Sequence, residues 1–191
     1  MREKHSRNFR LAIGPEEIIN FWFSEIEPKS RFKKNKAFDQ LLTTRFGPLI
    51  NRASRAELFT WRNSAQGRLA EIIVLDQFSR NVFRDTPRAF SSDPMALVLA
   101  QEAVSLQLDQ QLEPEHRVFL YMPYMHSESL LIHDQAVDLF TRLGRDGNLD
   151  FEMRHRKIIE TFGRYPHRNK ILGRSSTVAE IEFLSQPGSS F

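Results

Sequence analysis

The chain has 191 residues, of which 40% are hydrophobic and 27% are charged, a composition typical of a globular domain and not of a disordered chain. It contains no cysteine, which excludes disulfides, thiol nucleophiles and thiolate metal sites. Apolar runs such as residues 72–75 are far too short to span a bilayer, and residues 1–10 contain no apolar signal segment. We therefore expect a cytoplasmic protein that does not bind membranes.

The formal net charge of +3 is small, but it is unevenly distributed along the sequence. Residues 154–174 carry seven basic side chains and one acidic side chain, whereas the rest of the chain has a net charge of −3. A local positive field suits a small anionic molecule or an acidic peptide better than a long nucleic-acid track. We do not expect nucleic acid as a partner, and the sequence indicates no particular protein partner.

Helix signals follow one another from residue 15 to residue 185, and we expect these residues to form a single domain. Residues 1–14 and 186–191 are expected to be tails. No segment combines strand alternation with hairpin turn residues, so the predicted fold class is all-α. Short connectors between the helices predict stacked antiparallel helix hairpins.

In the first half of the chain, glycine and capping residues mark the predicted helix limits. A helix begins near Asn35 and is expected to end at Gly47, with a separate short helix after it. Another helix runs from Ser64, and the apolar face of this helix continues into Asp76 and Arg80. An apolar stripe thus becomes charged without leaving the side that faces the core.

In the second half of the chain, Pro123 is expected to end a helix, because its ring disfavours helical geometry at the preceding residue. Ser127 is predicted to be the N-cap of a helix over Glu128–Leu143. The next helix is expected over 149–162, and Thr177 begins a capping box before the last helix.

The connector at residues 162–177 concentrates side chains that recognise anions. Arginine offers a planar fork matched to phosphate or carboxylate, and a short helix near Pro166 would add backbone N–H groups. The alternative is that these arginines pair internally with Asp76, Glu128 or Asp134 and hold helices together. The predicted anion-binding residues of the connector are Arg164, His167, Arg168, Asn169 and Arg174.

Three spaced motifs carry a family resemblance: Leu75–Arg84, Met122–Glu128, and Phe162–Asn169 followed by Leu172–Thr177. From about Ile18 to Leu184, the chain resembles an uncharacterised bacterial family known as domain of unknown function 924. The resemblance implies a tetratricopeptide-like helical superhelix and implies no particular reaction. Ser79 stands where the family pattern has proline, and Arg31 where it has tryptophan. We therefore expect differences at the helix end near Phe78 and in one N-terminal packing contact.

The sequence also permits catalytic interpretations. His126 and Glu128 are candidates for proton transfer, whereas Ser127 between them is not expected to form a triad, because neighbours in a helical turn point in different directions. A metal site drawn from these residues with His155 and His167 lacks a diagnostic spacing, so we predict no metal and no cofactor. His155 is expected to be a core histidine.

We therefore predict that distant segments converge on one polar pocket that binds a small anion or an acidic peptide end. Two alternatives stay open: a hydrolase that uses acid–base chemistry in the same pocket, and a protein-interaction scaffold whose charged cluster is structural. Whether the protein is an enzyme stays open at this point. The predicted pocket residues are Asp76, Arg80, His126, Glu128, Arg164, His167, Arg168, Asn169 and Arg174.

Overall fold

The structure is a computed structural model that describes residues 13–189. Every regular element in these residues is helical, which confirms the predicted all-α class. Parts of the two expected tails, residues 1–12 and 190–191, lie outside the described residues. A single domain over 15–185 stays a prediction.

The α-helices of the described residues are, in chain order, α1 Pro15–Asn20, α2 Lys36–Ala53, α3 Ala65–Ile73, α4 Ser79–Val82, α5 Asp93–Ser105, α6 Pro114–Met125, α7 Leu130–Leu143, α8 Asp146–Phe162 and α9 Val178–Leu184. Two π-helical turns, Phe21–Glu25 and Val74–Phe78, continue α1 and α3. Short 3₁₀ helices lie at Pro28–Ser30, Phe59–Asn63, Pro87–Ala89, Leu108–Gln111 and Pro166–Arg168.

Side-chain caps fix three of the predicted helix starts. Asn35 Oδ1 accepts hydrogen bonds from two backbone N–H groups of the first turn of α2, and Ser64 Oγ accepts one in α3. Thr177 and Glu180 form the predicted capping box of α9. Each cap satisfies N–H groups that have no partner inside the helix, so these boundaries follow from local chemistry.

Two predicted helix ends are wrong. Gly47 lies inside α2, which continues through Pro48 to Ala53, and Pro123 lies inside α6. The expected separate helix after Gly47 is therefore the last part of α2. In both helices the residues after the proline are buried in the core, for example Leu49. This burial offsets the hydrogen bond that each proline removes.

The predicted N-cap at Ser127 is also wrong. Helix α7 begins at Leu130 with Ser129 at the N-cap, and Ser127 Oγ instead accepts a hydrogen bond from the Ser129 N–H at 3.2 Å. The loop between α6 and α7 therefore contains His126, Ser127 and Glu128. Helix geometry does not fix the directions of their side chains. Helix α8 begins at Asp146, slightly earlier than expected.

The hydrophobic core surrounds α3, in which every residue except Gln66 is buried. Helices α1, α5 and α6 pack against it, and the pairs α5–α6, α6–α7 and α7–α8 each lie side by side. Since the connectors between them are short, these neighbours form the predicted stack of antiparallel hairpins. The tetratricopeptide-like superhelix stays a prediction.

Aromatic side chains make up a large part of the core. Trp22, Phe119 and Phe140 are buried, whereas Phe59 is 64% exposed. Arg31, which replaces the tryptophan of the family pattern, is buried with its guanidinium 5.2 Å from the ring centre of Phe23 and 5.4 Å from that of Phe119. A cation–π contact thus takes the place of the expected aromatic packing.

Candidate functional site

The centre of the candidate site is Asp76, at the end of the apolar stripe of α3. Its side chain is fully buried in the π-helical turn that continues this helix. The Oδ1 atom lies 2.7 Å from His126 Nδ1 and 3.1 Å from Arg80 Nη1. Oδ2 accepts a hydrogen bond from Gln77 Nε2 at 2.6 Å. π-Helical turns of this kind are frequent at functional sites.

The charges around Asp76 decide where the protons lie. Burial alone would raise the pKa of Asp76, but the Arg80 guanidinium and the hydrogen bond from His126 hold this pKa well below its usual range. The ionised carboxylate can only accept hydrogen bonds, so His126 Nδ1 carries the proton. Burial, and then Arg80, lower the pKa of His126. The imidazole is therefore neutral at pH 7, and its Nε2 atom holds a lone pair.

A second carboxylate, Asp93 at the start of α5, joins two arginines. Arg80 contacts it through both terminal nitrogens, at 2.8 and 3.0 Å, and Arg168 Nη1 lies 3.3 Å away. Arg168 Nη2 also donates to the His126 carbonyl oxygen at 2.9 Å. Arg168 thus connects the 3₁₀ helix at Pro166–Arg168 with the first turn of α5 and with the loop after α6.

Arg168 is 6% exposed, and its guanidinium lies between two aromatic rings. It is 4.7 Å from the ring centre of Phe90 and 4.6 Å from that of Tyr165. Its Nε atom has no hydrogen-bond partner among the described residues. Burial, and then the nearby Arg80, lower the pKa of Arg168. The protein therefore compensates this buried positive charge incompletely.

Glu128 is held by the connector that follows α8. Its carboxylate accepts two hydrogen bonds from Arg174, at 2.7 and 2.9 Å, and one from the Tyr165 N–H at 2.8 Å. Arg174 Nε donates in turn to Asn169 Oδ1 at 3.0 Å. Burial acts to raise the pKa of Glu128, but these hydrogen bonds lower it overall. Glu128 is therefore ionised and occupied, which favours His126 over Glu128 as a proton acceptor.

A cleft of about 340 Å³ opens beside this network, and most of its walls are apolar. Of the predicted pocket residues, it brings together His126, Glu128 and Arg168. The apolar walls come from the 3₁₀ helix at Pro87–Ala89, the first turns of α5 and the end of α6. The residues that line the cleft are Pro87, Phe90, Ser91, Asp93, Pro94, Leu97, Pro123, His126, Ser127, Glu128, Arg168 and Leu172.

The other predicted residues do not line the cleft. Asp76 and Arg80 support His126 and Asp93 from behind, while Asn169 and Arg174 support Glu128. Arg164 is elsewhere, where it makes two hydrogen bonds, at 2.6 and 2.8 Å, to the carboxylate of Glu180. These arginines form the internal pairs of the structural alternative. The expected pairing with Asp134 is not made by the connector, because Asp134 contacts Arg156 of α8.

Sequence reasoning missed Asp93 and Phe90. Ser92, Asp93 and Pro94 have the pattern of a helix start, and a helix start accounts for an acid at position 93 without any role in a site. The structure does place Asp93 in the first turn of α5, but its carboxylate faces the arginines. The sequence did contain a signal for Asp93. Two arginines predicted beside one buried acid, Asp76, leave a buried positive charge unpaired, which indicates a second acid nearby.

His155 and His167 are not part of the cleft lining. His155 is 6% exposed, and its Nδ1 atom lies 2.7 Å from the Phe151 carbonyl oxygen, as a core histidine requires. Burial lowers the pKa of His155 to about 3 and that of His167 to about 4. In the part of the chain that the structure describes, no three side chains of metal-ligand type lie together in a way that could hold an ion.

Comparison with known families places the chain. A model built from bacterial proteins of unknown function, DUF924, matches residues 18–188. The chain belongs to the DUF924 family. It is also similar to the solved structure of a protein of unknown function from Agrobacterium tumefaciens, with 38% identity and a TM-score of 0.85. That match covers 90% of this chain and 96% of the other. Comparison with curated proteins gives no match. Across residues 13–189 of this DUF924 member, no helix has the length and apolar character needed to cross a membrane.

Proposed function

We propose that the cleft binds a small organic anion, a carboxylate with an aliphatic body. The carboxylate would pair with Arg168, and the body would lie against Phe90, Leu97 and Leu172, which line the cleft. A cytoplasmic protein with such a cleft would take its ligand from the pool of soluble metabolites. An acidic peptide end would present the same carboxylate to Arg168.

The observation that carries this proposal is the state of Arg168. Its one carboxylate contact in the described residues is 3.3 Å long, and it shares that carboxylate with Arg80. Its pKa is lowered by burial and by Arg80, so an additional anion beside it would relieve an electrostatic cost. The planar fork of arginine matches a carboxylate, and the low polarity of the cleft strengthens such a pair.

The apolar walls of the cleft account for the aliphatic body of the proposed ligand. Pockets for small molecules are mostly apolar, with a small number of polar groups that fix orientation. Here the polar groups are Arg168, a hydrogen-bond donor, and the neutral imidazole of His126, which can accept a hydrogen bond through Nε2. A ligand with a hydroxyl or amine beside its carboxylate would use both groups.

The test is calorimetric titration of the protein with hexanoate and with hexanamide, its uncharged counterpart. Wild-type protein should bind hexanoate, and Arg168→Gln should weaken this binding by at least about tenfold, because it removes a charge-assisted pair. Lys170→Gln is the matched control, since it removes an exposed charge from the same connector. Equal binding of hexanoate and hexanamide, or equal losses in the two variants, would contradict the proposal.

One observation favours a second function, hydrolysis by general base catalysis in the same cleft. The neutral imidazole of His126 is oriented by the buried carboxylate of Asp76, which is the arrangement of a catalytic base and its orienting acid. His126 Nε2 would accept a proton from water as that water attacks an ester carbonyl, and the alcohol would leave with the returned proton.

This second function is tested with a nitrophenyl monoester of succinate. Turnover should rise with pH as His126 loses its proton, and His126→Gln should remove turnover while leaving succinate binding unchanged. Binding without turnover in the wild-type protein would leave anion binding as the function and reject hydrolysis of this ester class. Glu128→Gln is expected to act through stability alone, because Glu128 is already held by Arg174.

A further inference from the structure

A second cavity lies apart from the cleft and shares no lining residue with it. Its volume is about 320 Å³, and it opens between the ends of α5 and α7, the 3₁₀ helix at Leu108–Gln111 and the first half of α6. Polar side chains from each of these connections face it, including Gln107 and Gln110. The cavity therefore has the size and polarity of a site for a small hydrophilic molecule.

Asp109 and Tyr121 form the buried base of this cavity. The Tyr121 hydroxyl donates to Asp109 Oδ2 at 2.5 Å, and Gln110 Nε2 donates to the same oxygen at 2.7 Å. Asp109 is 3% exposed, and both of these donors bind its Oδ2 atom. The one acid among the lining residues thus bonds to Tyr121 and Gln110, and within the described residues it forms no ion pair with the arginines of the cavity.

Those arginines are Arg117 and Arg142. Neither forms an ion pair with any residue in the described range 13–189, and their hydrogen bonds go to uncharged oxygens. Arg117 donates to the Leu112 carbonyl and the Gln110 side chain, and Arg142 donates to the Asp138 carbonyl. Both arginines line the same cavity as Tyr121. Burial and Asp109 raise the pKa of Tyr121, and both guanidinium groups act to lower it. Two guanidinium groups that form no ion pair within the described range therefore meet at one concave surface, with a single acid, Asp109, at its base.

We propose that this cavity binds a phosphate monoester of a small polar alcohol. A phosphate dianion carries the charge and the oxygen atoms that two guanidinium forks match. The side-chain amides of Gln107 and Gln110 can bind the hydroxyl groups of the alcohol. The ligand differs from that proposed for the cleft in its charge and in its polar body, so the two sites select different molecules.

The experiment is a titration of ¹⁵N-labelled full-length protein with glycerol phosphate, inorganic phosphate and glycerol, followed by amide chemical shifts at low ionic strength. Glycerol phosphate should shift the amides around Gln107–Gln110 and Arg142, and glycerol alone should not. Arg142→Gln should weaken binding by at least about tenfold, which is the loss of one charge-assisted pair. Arg142 is exposed on α7, so this variant keeps the fold.

The matched control is Arg154→Gln, which removes an exposed arginine of α8 that also lacks an ion pair within the described residues. It should leave the affinity unchanged. Absence of binding in the wild-type protein, equal losses in the two variants, or shifts confined to the cleft around Arg168 would overturn the proposal. Equal affinity for inorganic phosphate and glycerol phosphate would overturn the part that concerns the alcohol. The cleft proposal is tested by Arg168→Gln, so the two proposals fail separately.

Discussion

The two cavities of this protein use arginine in opposite ways. Beside the cleft, Arg80, Arg168 and Arg174 each contact a carboxylate. The contact of Arg168 with Asp93 connects the connector after α8 with α5, and that of Arg174 with Glu128 connects it with the loop after α6. In the second cavity, Arg117 and Arg142 have no carboxylate partner among residues 13–189. The density of arginines in a sequence is therefore a poor guide to anion affinity, because pairing inside the protein decides how much positive charge is left for a ligand.

The largest effect is expected from Asp76→Ala, which breaks the network at its most buried point. The variant leaves Arg80 and His126 without their shared partner, and we expect the free energy of unfolding to fall by about 3–5 kcal/mol. Chemical denaturation measures this loss as a lower midpoint concentration, with an unchanged dependence of the free energy of unfolding on denaturant concentration. A loss as small as that of an exposed ion pair would show that the network around the cleft is not structural.

Acid should weaken the region around the cleft. His155 and His167 have pKa values of about 3 and about 4 in the folded protein, below the usual value of a histidine. Their contribution to stability is therefore present above the unfolded-state pKa and is lost as the pH falls. At pH 5 the unfolded chain binds roughly two more protons through these groups, so stability should fall by about 2.7 kcal/mol per pH unit.

The pH dependence is measured by denaturant unfolding at a series of pH values between neutrality and the acid transition. His155→Gln removes one of these groups and should reduce the slope near pH 5 by about 1.4 kcal/mol per pH unit. The slope is compared, not the absolute stability, because the substitution also changes packing. Identical slopes for the variant and the wild-type protein would contradict the lowered pKa of His155.

Arg168→Ala should have a smaller effect on stability than Asp76→Ala. Asp93 keeps its two hydrogen bonds to Arg80, so the variant leaves no buried carboxylate without a partner. The loss is limited to two hydrogen bonds, to Asp93 and to the His126 carbonyl oxygen, and to the stacking on Phe90 and Tyr165, for which we expect about 1–3 kcal/mol. A melt of the two variants side by side checks the order. A larger loss of stability for Arg168→Ala than for Asp76→Ala would show that Arg168 serves mainly to stabilise the fold.

The smallest effect is expected from Arg142→Gln without ligand. The side chain is exposed and makes one hydrogen bond of 3.3 Å, so the free energy of unfolding should change by no more than about 0.5 kcal/mol. Thermal unfolding at low and high salt gives the measurement. Destabilisation by several times this amount would show that the second cavity, like the cleft, is held together by its arginines.

The fold class and three of the helix starts could be predicted from the sequence, because these depend on neighbouring residues, whereas the N-cap expected at Ser127 was wrong. Asn35, Ser64 and Thr177 act within a few residues of where they stand. The ends at Gly47 and Pro123 were mispredicted, because burial of distant surfaces outweighed a local preference.

The candidate site was predictable only in part. Its charged residues are visible in the sequence, and the cleft does bring together His126, Glu128 and Arg168. Which acid pairs with which arginine depends on long-range packing, so Asp93 and the pairing of Arg164 with Glu180 were not foreseen. The arginines of the second cavity were not predicted as a site, because no sequence pattern shows that an arginine lacks an ion-pair partner in the folded protein.

The contacts of Arg168 also bear on how the protein is made. They join this residue to Asp93 and His126, which precede it by 75 and 42 positions in the chain. During synthesis, α1 to α8 can emerge and pack before the connector that completes the cleft has left the ribosome. Closing loops of this length is a slow part of folding, so the cleft should be among the last features to form. Any ligand of the cleft would then bind only a chain whose last helices are in place.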